Sequence, residues 1–286
     1  MVSPAQNRGK RGPGDQATHL RSVPFPHAAG ARFCATRERQ VELRLPFARL
    51  VRAPGGAAVD ERAIMAILDH ACGAAMYAAL PEPLPIATLD LRVAFQRPVP
   101  DGADILIAAR TTHIAGMSAF VEAQACAADG GPPLLTASGA FMVGAHPGGA
   151  TGSDMPDPWQ PARPIEIGDL SQLDSFEKFL CLARHGRHVR MEFADHLIGA
   201  VSLPALHGGA VAALLATAAA DLAGTERATR LVAMTIQYLR AGRAETLTAN
   251  AEWEKRGSRS SVVAVVARQA HGAREVARAQ CTFVAA

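Results

Sequence analysis

The sequence predicts an α+β protein that uses one structural unit twice, each copy a long helix wrapped by a curved antiparallel sheet. Three observations carry that prediction. The order strand, helix, run of strands occurs over residues 40–143 and again over residues 188–284. The helical stretch of the second copy, residues 210–220, is apolar on nearly every side and therefore has to be enclosed. Aromatics make up only 5% of a chain that is 49% hydrophobic, so its cores are built from Ala, Val, Leu and Ile. A helix rich in Ala is what a sheet can close tightly around. At ~100–200 residues per domain, a length of 286 accommodates two such units.

Residues 1–37 read as a disordered basic tail. Residues 1–40 hold seven Lys/Arg against two acids, and Pro4, Pro13 and the glycines between them oppose a helix. The first unit spans residues 38–145. Residues 40–46 (QVELRLP) alternate apolar and polar and predict a strand. A Pro-Gly-Gly turn at Pro54 leads to Asp60, a good N-cap, and to a helix that Pro81 stops; Ile64, Ile67, Leu68, Ala71 and Ala75 form its core stripe. Strands are predicted over 87–95, 104–113, 117–128 and 134–143, with turns at Gly116 and at Asp129-Gly130-Gly131. Residues 146–172, rich in Gly, Pro, Asp and Ser, read as a linker.

The second unit, residues 173–286, opens with a short helix over 175–184 and then repeats the order. A strand over 188–193 precedes a helix over 206–223, and strands follow over 231–240, 247–255, 261–268 and 275–284. Residues 231–240 correspond to 88–97, Gly257 to Gly116, and Phe283 to Phe141. A helix enclosed by such a sheet is the hot-dog arrangement, and the two copies are expected to pair as an internal pseudo-dimer.

Charge and cysteine usage exclude several functions. The formal net charge is +3, but residues 1–40 alone carry +5, which leaves no basic body for nucleic acid. The five cysteines are scattered, without a C-x-x-C, and form neither a disulfide framework nor a zinc site. No apolar run approaches the ~18 residues needed to span a bilayer. A cytoplasmic protein without membrane contact is the expectation. His185, His188 and His196 lie around a strand rather than on one helical face, so they predict a surface loop and no metal. P-loop, dinucleotide-binding and Gly-x-Ser-x-Gly signatures are absent from the sequence.

The chemistry-bearing residues sit at the helices. The second helix opens with His207-Gly208-Gly209, the first carries Asp69 in its middle, and Thr88 starts the strand after it. These residues resemble the hot-dog acyl-CoA thioesterases of the phenylacetate-pathway (PaaI-like) type. In that family His-Gly-Gly is followed nine positions later by Asp, then by Ser or Thr at the next strand. The glycine amide comes from one subunit and the Asp and Ser/Thr from the other. Here the pattern is divided. Nine positions after His207 stands Ala216; nine before Asp69 stands Asp60, followed by Glu61-Arg62; and the counterpart of Thr88 is Leu231. The first unit thus keeps Asp69 and Thr88, and the second keeps Gly208 and Gly209.

The resemblance implies hydrolysis of an acyl-CoA to free acid and CoA at one composite site, with no cofactor. A Gly208 or Gly209 N–H at the helix start would hold the carbonyl oxygen, with the helix dipole behind it. Asp69 would act as general base or nucleophile, with Thr88 placing the water. Met65 and Met76 would line the acyl pocket, and His207 would cap the helix beside the substrate. An Asn that the family places just before His-Gly-Gly is missing; residues 199–202 read GAVS, leaving Ser202 as its substitute. Arg256 and Arg259, flanking Gly257, are expected to meet the CoA phosphates. The competing reading is a non-catalytic acyl-CoA-binding or scaffold protein with a degenerate site. Exposed sheet edges make a homo-oligomer of the double unit plausible.

Overall fold

The computed structural model describes residues 23–82, 84–144, 160–186, 188–225, 229–269 and 272–285. The first 22 residues of the expected tail, and residues 146–159 of the expected linker, lie outside the described residues.

The first unit runs α1 (Pro24–Ala28), β1 (Arg32–Arg37), β2 (Gln40–Leu45), α2 (Glu61–Ala79), β3 (Ile86–Phe95), β4 (Ile105–Ala115), β5 (Ser118–Ala127) and β6 (Leu135–Val143). Residues 160–172 form neither helix nor strand. The second unit runs α3 (Phe176–Phe179), β7 (Leu182–His185), β8 (His188–Met191), the small hairpin β9 (Ile198–Ala200) and β10 (Ala205–Leu206), α4 (Gly208–Ala223), β11 (Thr229–Tyr238), β12 (Leu247–Arg256), β13 (Ser260–Gln269) and β14 (Arg274–Ala285). No helix among the described residues is long and apolar enough to cross a membrane.

Twelve strands make one antiparallel sheet in the order β1-β2-β4-β5-β6-β3-β11-β14-β13-β12-β8-β7. Read from either end, the order is that of corresponding strands in the two units. At the centre β3 pairs with β11, and Arg92 lies opposite Thr235, the residue that occupies its position in the other copy. That register is the signature of an internal two-fold, and it joins the units edge to edge. Both copies also carry the same β-bulge, between Thr88 and Asp90 against β6 and between Leu231 and Ala233 against β14. A bulge at a matched place bends each sheet around its helix.

The enclosed helices are α2 and α4. Asp60 caps α2 by accepting from the Arg62 N–H at 2.8 Å, and the helix stops before Pro81. Ile64, Met65, Ile67 and Leu68 on α2, and Leu214 and Leu215 on α4, are fully buried; each such side chain contributes about 1.5–3 kcal/mol. The helices touch at Gly209, where an added Cβ would stand 2.3 Å from the Ala66 carbonyl oxygen. Only glycine admits that approach.

The tail is shorter than the sequence reading placed it. Residues 23–37 are folded: α1 buries Phe25, and β1 pairs with β2 at the edge of the sheet. These elements are the first-unit counterparts of α3 and β7, with a left-handed residue before the strand in each, Gly30 and Cys181. β1 escaped the sequence pattern because an edge strand exposes both faces, and Arg32-Phe33-Cys34-Ala35-Thr36-Arg37 has no buried alternation to read.

Candidate active site

Asp69 sits midway along α2 and is 5% exposed. It faces the first turn of α4 from the other unit: a Cβ placed on Gly208 would lie 2.7 Å from Asp69 Oδ2. Thr88, on β3 beside the bulge, donates its hydroxyl proton to Asp69 Oδ1 at 3.1 Å. Burial pushes the Asp69 carboxyl up to about 6, against the opposing pull of the Thr88 hydroxyl and the Gly209 N–H. The result is a base whose titration falls near neutral pH, where general-base catalysis is most effective.

His207 is the N-cap of α4, and its Nδ1 accepts from the Gly209 N–H at 2.9 Å. Burial, together with the neighbouring His70 ring, drives its pKa well below the ordinary imidazole value, so the ring is neutral. Nδ1 already accepts a proton, which places the ring's own hydrogen on Nε2. Its 3.6 Å approach to Asp69 Oδ2 therefore brings two acceptors together and is not an ion pair. The Gly208 N–H makes no hydrogen bond among the described residues, while the Gly208 carbonyl accepts from Tyr238 Oη at 3.1 Å. A helix-start N–H of this kind favours negative charge, and here it stands beside a carboxyl of shifted pKa.

Not every expected residue joins this cluster. Met65 and Met76 are fully buried on α2. Met65 stands one turn before Asp69, and Met76 Sδ accepts from the Thr111 hydroxyl at 3.6 Å. Ser202 lies in the turn between β9 and β10 and makes none of the site's hydrogen bonds. That hairpin abuts His207 instead through Gly199, where a Cβ would stand 2.7 Å from His207 Cα.

Arg256 and Arg259 are placed at the wrong end of the sheet. Arg256 pairs with Ser261, Ser261 with Phe283, and Phe283 with Leu231. Leu231 and Tyr238 are seven residues apart on β11, roughly 23 Å along a strand. The basic turn therefore lies at the Leu231 end of β11, away from Thr88, Asp69 and Gly208. The signal was in the hairpin register: the turn of each unit lies beside the Thr88 or Leu231 position of its own copy.

The second crossing of the helices is filled rather than open. Arg62, where the other copy has Gly209, reaches across with its guanidinium. It binds Asp60 Oδ2 at 2.6 Å, Glu177 Oε1 at 3.0 Å and Thr217 Oγ1 at 2.8 Å. Burial alone would pull the Arg62 pKa down, but its pairing with Asp60 and Glu177 raises it instead. Glu177 passes the network on to Arg184, which also holds Asp221. Ala216 and Leu231 supply no polar group there.

Sequence reasoning missed three neighbours of the working cluster. Phe25 stacks on His207 with ring centroids 4.7 Å apart. His70 tilts against the same ring at 5.5 Å, and Phe33 meets His70 edge-on at 6.0 Å. Phe25 and Phe33 lay in the stretch read as tail.

Both halves of the chain match models of thioesterase families. Residues 63–133 match the thioesterase superfamily, and residues 200–284 match the acyl-CoA thioesterase N-terminal domain. Among solved structures, the tesB protein of Mycobacterium avium subspecies paratuberculosis aligns at TM-score 0.57 and 12% identity, covering 96% of this chain and 99% of that one. The acyl-CoA thioesterase II TesB2 of Mycobacterium marinum aligns at 0.54 and 13%, covering 88% and 94%. A search of curated proteins finds no match. The structural likenesses show a shared fold, and a stretch in each half is similar to a thioesterase family model.

Proposed function

With a thioester hydrolase of tandem hot-dog architecture as the premise, we infer that the protein hydrolyses an acyl-CoA thioester to a free acid and CoA at one composite site. The observation that carries this is the meeting of the Asp69 carboxylate with the N-terminus of α4, 2.7 Å from the Cβ that Gly208 lacks. Each unit supplies what the other has lost, and the alternative crossing is occupied by Arg62.

The reaction follows from the groups present. The thioester carbonyl oxygen lies at the Gly208 N–H, where the positive end of α4 favours developing negative charge. Asp69 takes a proton from a water that Thr88 Oγ1 can also hold, since its hydrogen is committed to Asp69 and its lone pairs are free. The water oxygen adds to the carbonyl carbon. The tetrahedral intermediate then collapses, the carbon–sulfur bond breaks, and CoA leaves as a thiolate that takes up the proton. A thiolate leaves without a strong acid because thiols have a pKa of ~8.5. The most demanding task is stabilising the oxyanion.

The PaaI-like division of labour fits these positions, with the helix amide from the second unit and the acid and hydroxyl from the first. Thiol release from acetyl-, hexanoyl- and phenylacetyl-CoA tests the reading. The unaltered chain is expected to turn over at least one of them, and Asp69→Ala to lose at least ~10³-fold in kcat. Glu61→Ala, at the filled crossing, is expected to be unchanged. Unaltered turnover in Asp69→Ala, or binding without turnover in the unaltered chain, would remove the assignment.

A further inference from the structure

His70 follows Asp69 on α2 and plays no part in the mechanism above. It is 6% exposed, and its Nε2 is buried with no hydrogen-bond partner. A buried polar nitrogen left unpaired costs free energy, and folded proteins keep few of them unless the atom has work to do. Its surroundings are aromatic: the His207 ring at 5.5 Å and the Phe33 ring edge-on at 6.0 Å. No acid faces it to draw a proton onto the ring, and burial alone pulls its pKa down to about 4. His70 is thus a neutral imidazole with one nitrogen waiting for a partner, beside the residue that opens α4.

The working cluster lacks a matching part. Residues 199–202, just before His207, read GAVS and supply no side-chain amide that could hold a substrate carbonyl. Ser202 makes no bond to the cluster. His207 cannot donate through Nδ1, which accepts from the Gly209 N–H. Among the described residues the Gly208 N–H is a backbone donor left without an acceptor, and a second donor beside it would share the charge of the oxyanion.

We propose that His70 is a second catalytic donor, its Nε2–H reaching the thioester carbonyl oxygen together with the Gly208 N–H. The assignment rests on the composite-site reading. It gives the orphan nitrogen an acceptor and the oxyanion a second donor, and it explains why an imidazole stands inside an otherwise aromatic and aliphatic wall. Phe25 and Phe33 then serve as the outer wall of the two imidazoles, keeping water from competing for Nε2.

The test uses the full chain. His70→Leu is expected to lower kcat by about 10²–10³-fold, the loss typical of one oxyanion donor. KM should change less than threefold, because the charge is present only in the transition state. His70→Gln places an amide N–H near the position of Nε2 and is expected to recover at least tenfold of that loss; a purely structural role would not separate the two variants in this way. A second readout needs no turnover. With hexanoyl-CoA carrying a carbon-13 carbonyl, bound to Asp69→Asn, the carbonyl stretch should rise when His70→Phe is added. Activity of His70→Leu within threefold of the unaltered chain, or an unmoved carbonyl stretch, overturns the proposal. If Asp69→Ala is fully active as well, the composite site itself has failed; if only the His70 variants are active, the site stands and His70 is not its donor.

Discussion

Replacing Asp69 by Asn should make the protein inactive and more stable at the same time. The carboxyl titrates at about 6 in the folded chain against an ordinary 3.8, chiefly because it is buried. A carboxylic acid whose folded pKa is raised binds protons more tightly when folded, so folding is opposed by its ionisation. The penalty is absent below the unfolded pKa, grows between pH ~4 and 6, and is complete above pH ~7. From 3.8 to about 6, the linkage amounts to about 3 kcal/mol. Asn keeps an oxygen to accept from Thr88 but turns an amide toward the Gly209 N–H, which returns about 1 kcal/mol. Asp69→Asn is therefore expected to gain about 1–3 kcal/mol over the unaltered chain at pH 7.5. At pH 4 it should gain nothing. Urea denaturation at both values measures the difference. A gain of the same size at both pH values, or a loss at pH 7.5, would show that burial does not strain this carboxylate and would refute the reasoning.

Four further outcomes follow from the same geometry. Thr88→Val removes the hydrogen bond that holds the Asp69 pKa down, so the acid limb of kcat/KM, expected near pH 6, should move upward by about half to one pH unit. Gly208→Ala places a Cβ 2.7 Å from Asp69 Oδ2 and should cost about 10²-fold or more in kcat while the urea midpoint barely moves. Gly209→Ala drives a Cβ to 2.3 Å from the Ala66 carbonyl oxygen and should destabilise the fold by more than about 3 kcal/mol; a normal denaturation curve would contradict the helix crossing. Arg62→Met leaves Asp60 and Glu177 without their guanidinium and should cost about 2–4 kcal/mol with kcat unchanged, part of the loss returning when Glu177→Gln is added.

The sequence made legible whatever depends on short-range pattern. The helices capped by Asp60 and His207 and the strands β2–β6, β8 and β11–β14 are recognisable from caps, breakers and alternation, within a few residues of where they occur; the helix expected over 175–184 stops at Phe179, and Leu182–His185 form β7 instead. The joining of Asp69 and Thr88 with Gly208 followed from comparing the two copies, because complementary losses have meaning only if the copies meet. What depends on long-range placement was not legible. Phe25 and β1 looked like tail because charge and proline dominate their composition, and the packing that overrides it comes from α4 and β2. The Arg62 network joins residues 60, 62, 177, 184, 217 and 221, whose proximity no spacing announces. Comparison of the copies draws Arg256 and Arg259 toward Asp69, whereas the direction of the β12–β13 hairpin places them at the Leu231 end of the sheet.

The two helix crossings pose the same physical problem and solve it in opposite ways. Where the start of one helix meets the middle of the other, unpaired N–H groups and any polar side chain are shut away from water, so each polar group must find a partner or remain strained. At the crossing of α2 over Thr217 the slot is filled: Arg62 satisfies Asp60, Glu177 and Thr217 together. At the crossing of α4 over Asp69 the slot is emptied by two glycines, and the carboxylate is left with one hydroxyl and a shared amide. The second arrangement costs stability and the first restores it. A dimer of identical units would carry the strained carboxylate twice. Joining two units in one chain lets the strain be kept only where chemistry needs it, while an ion-pair network holds the other crossing shut.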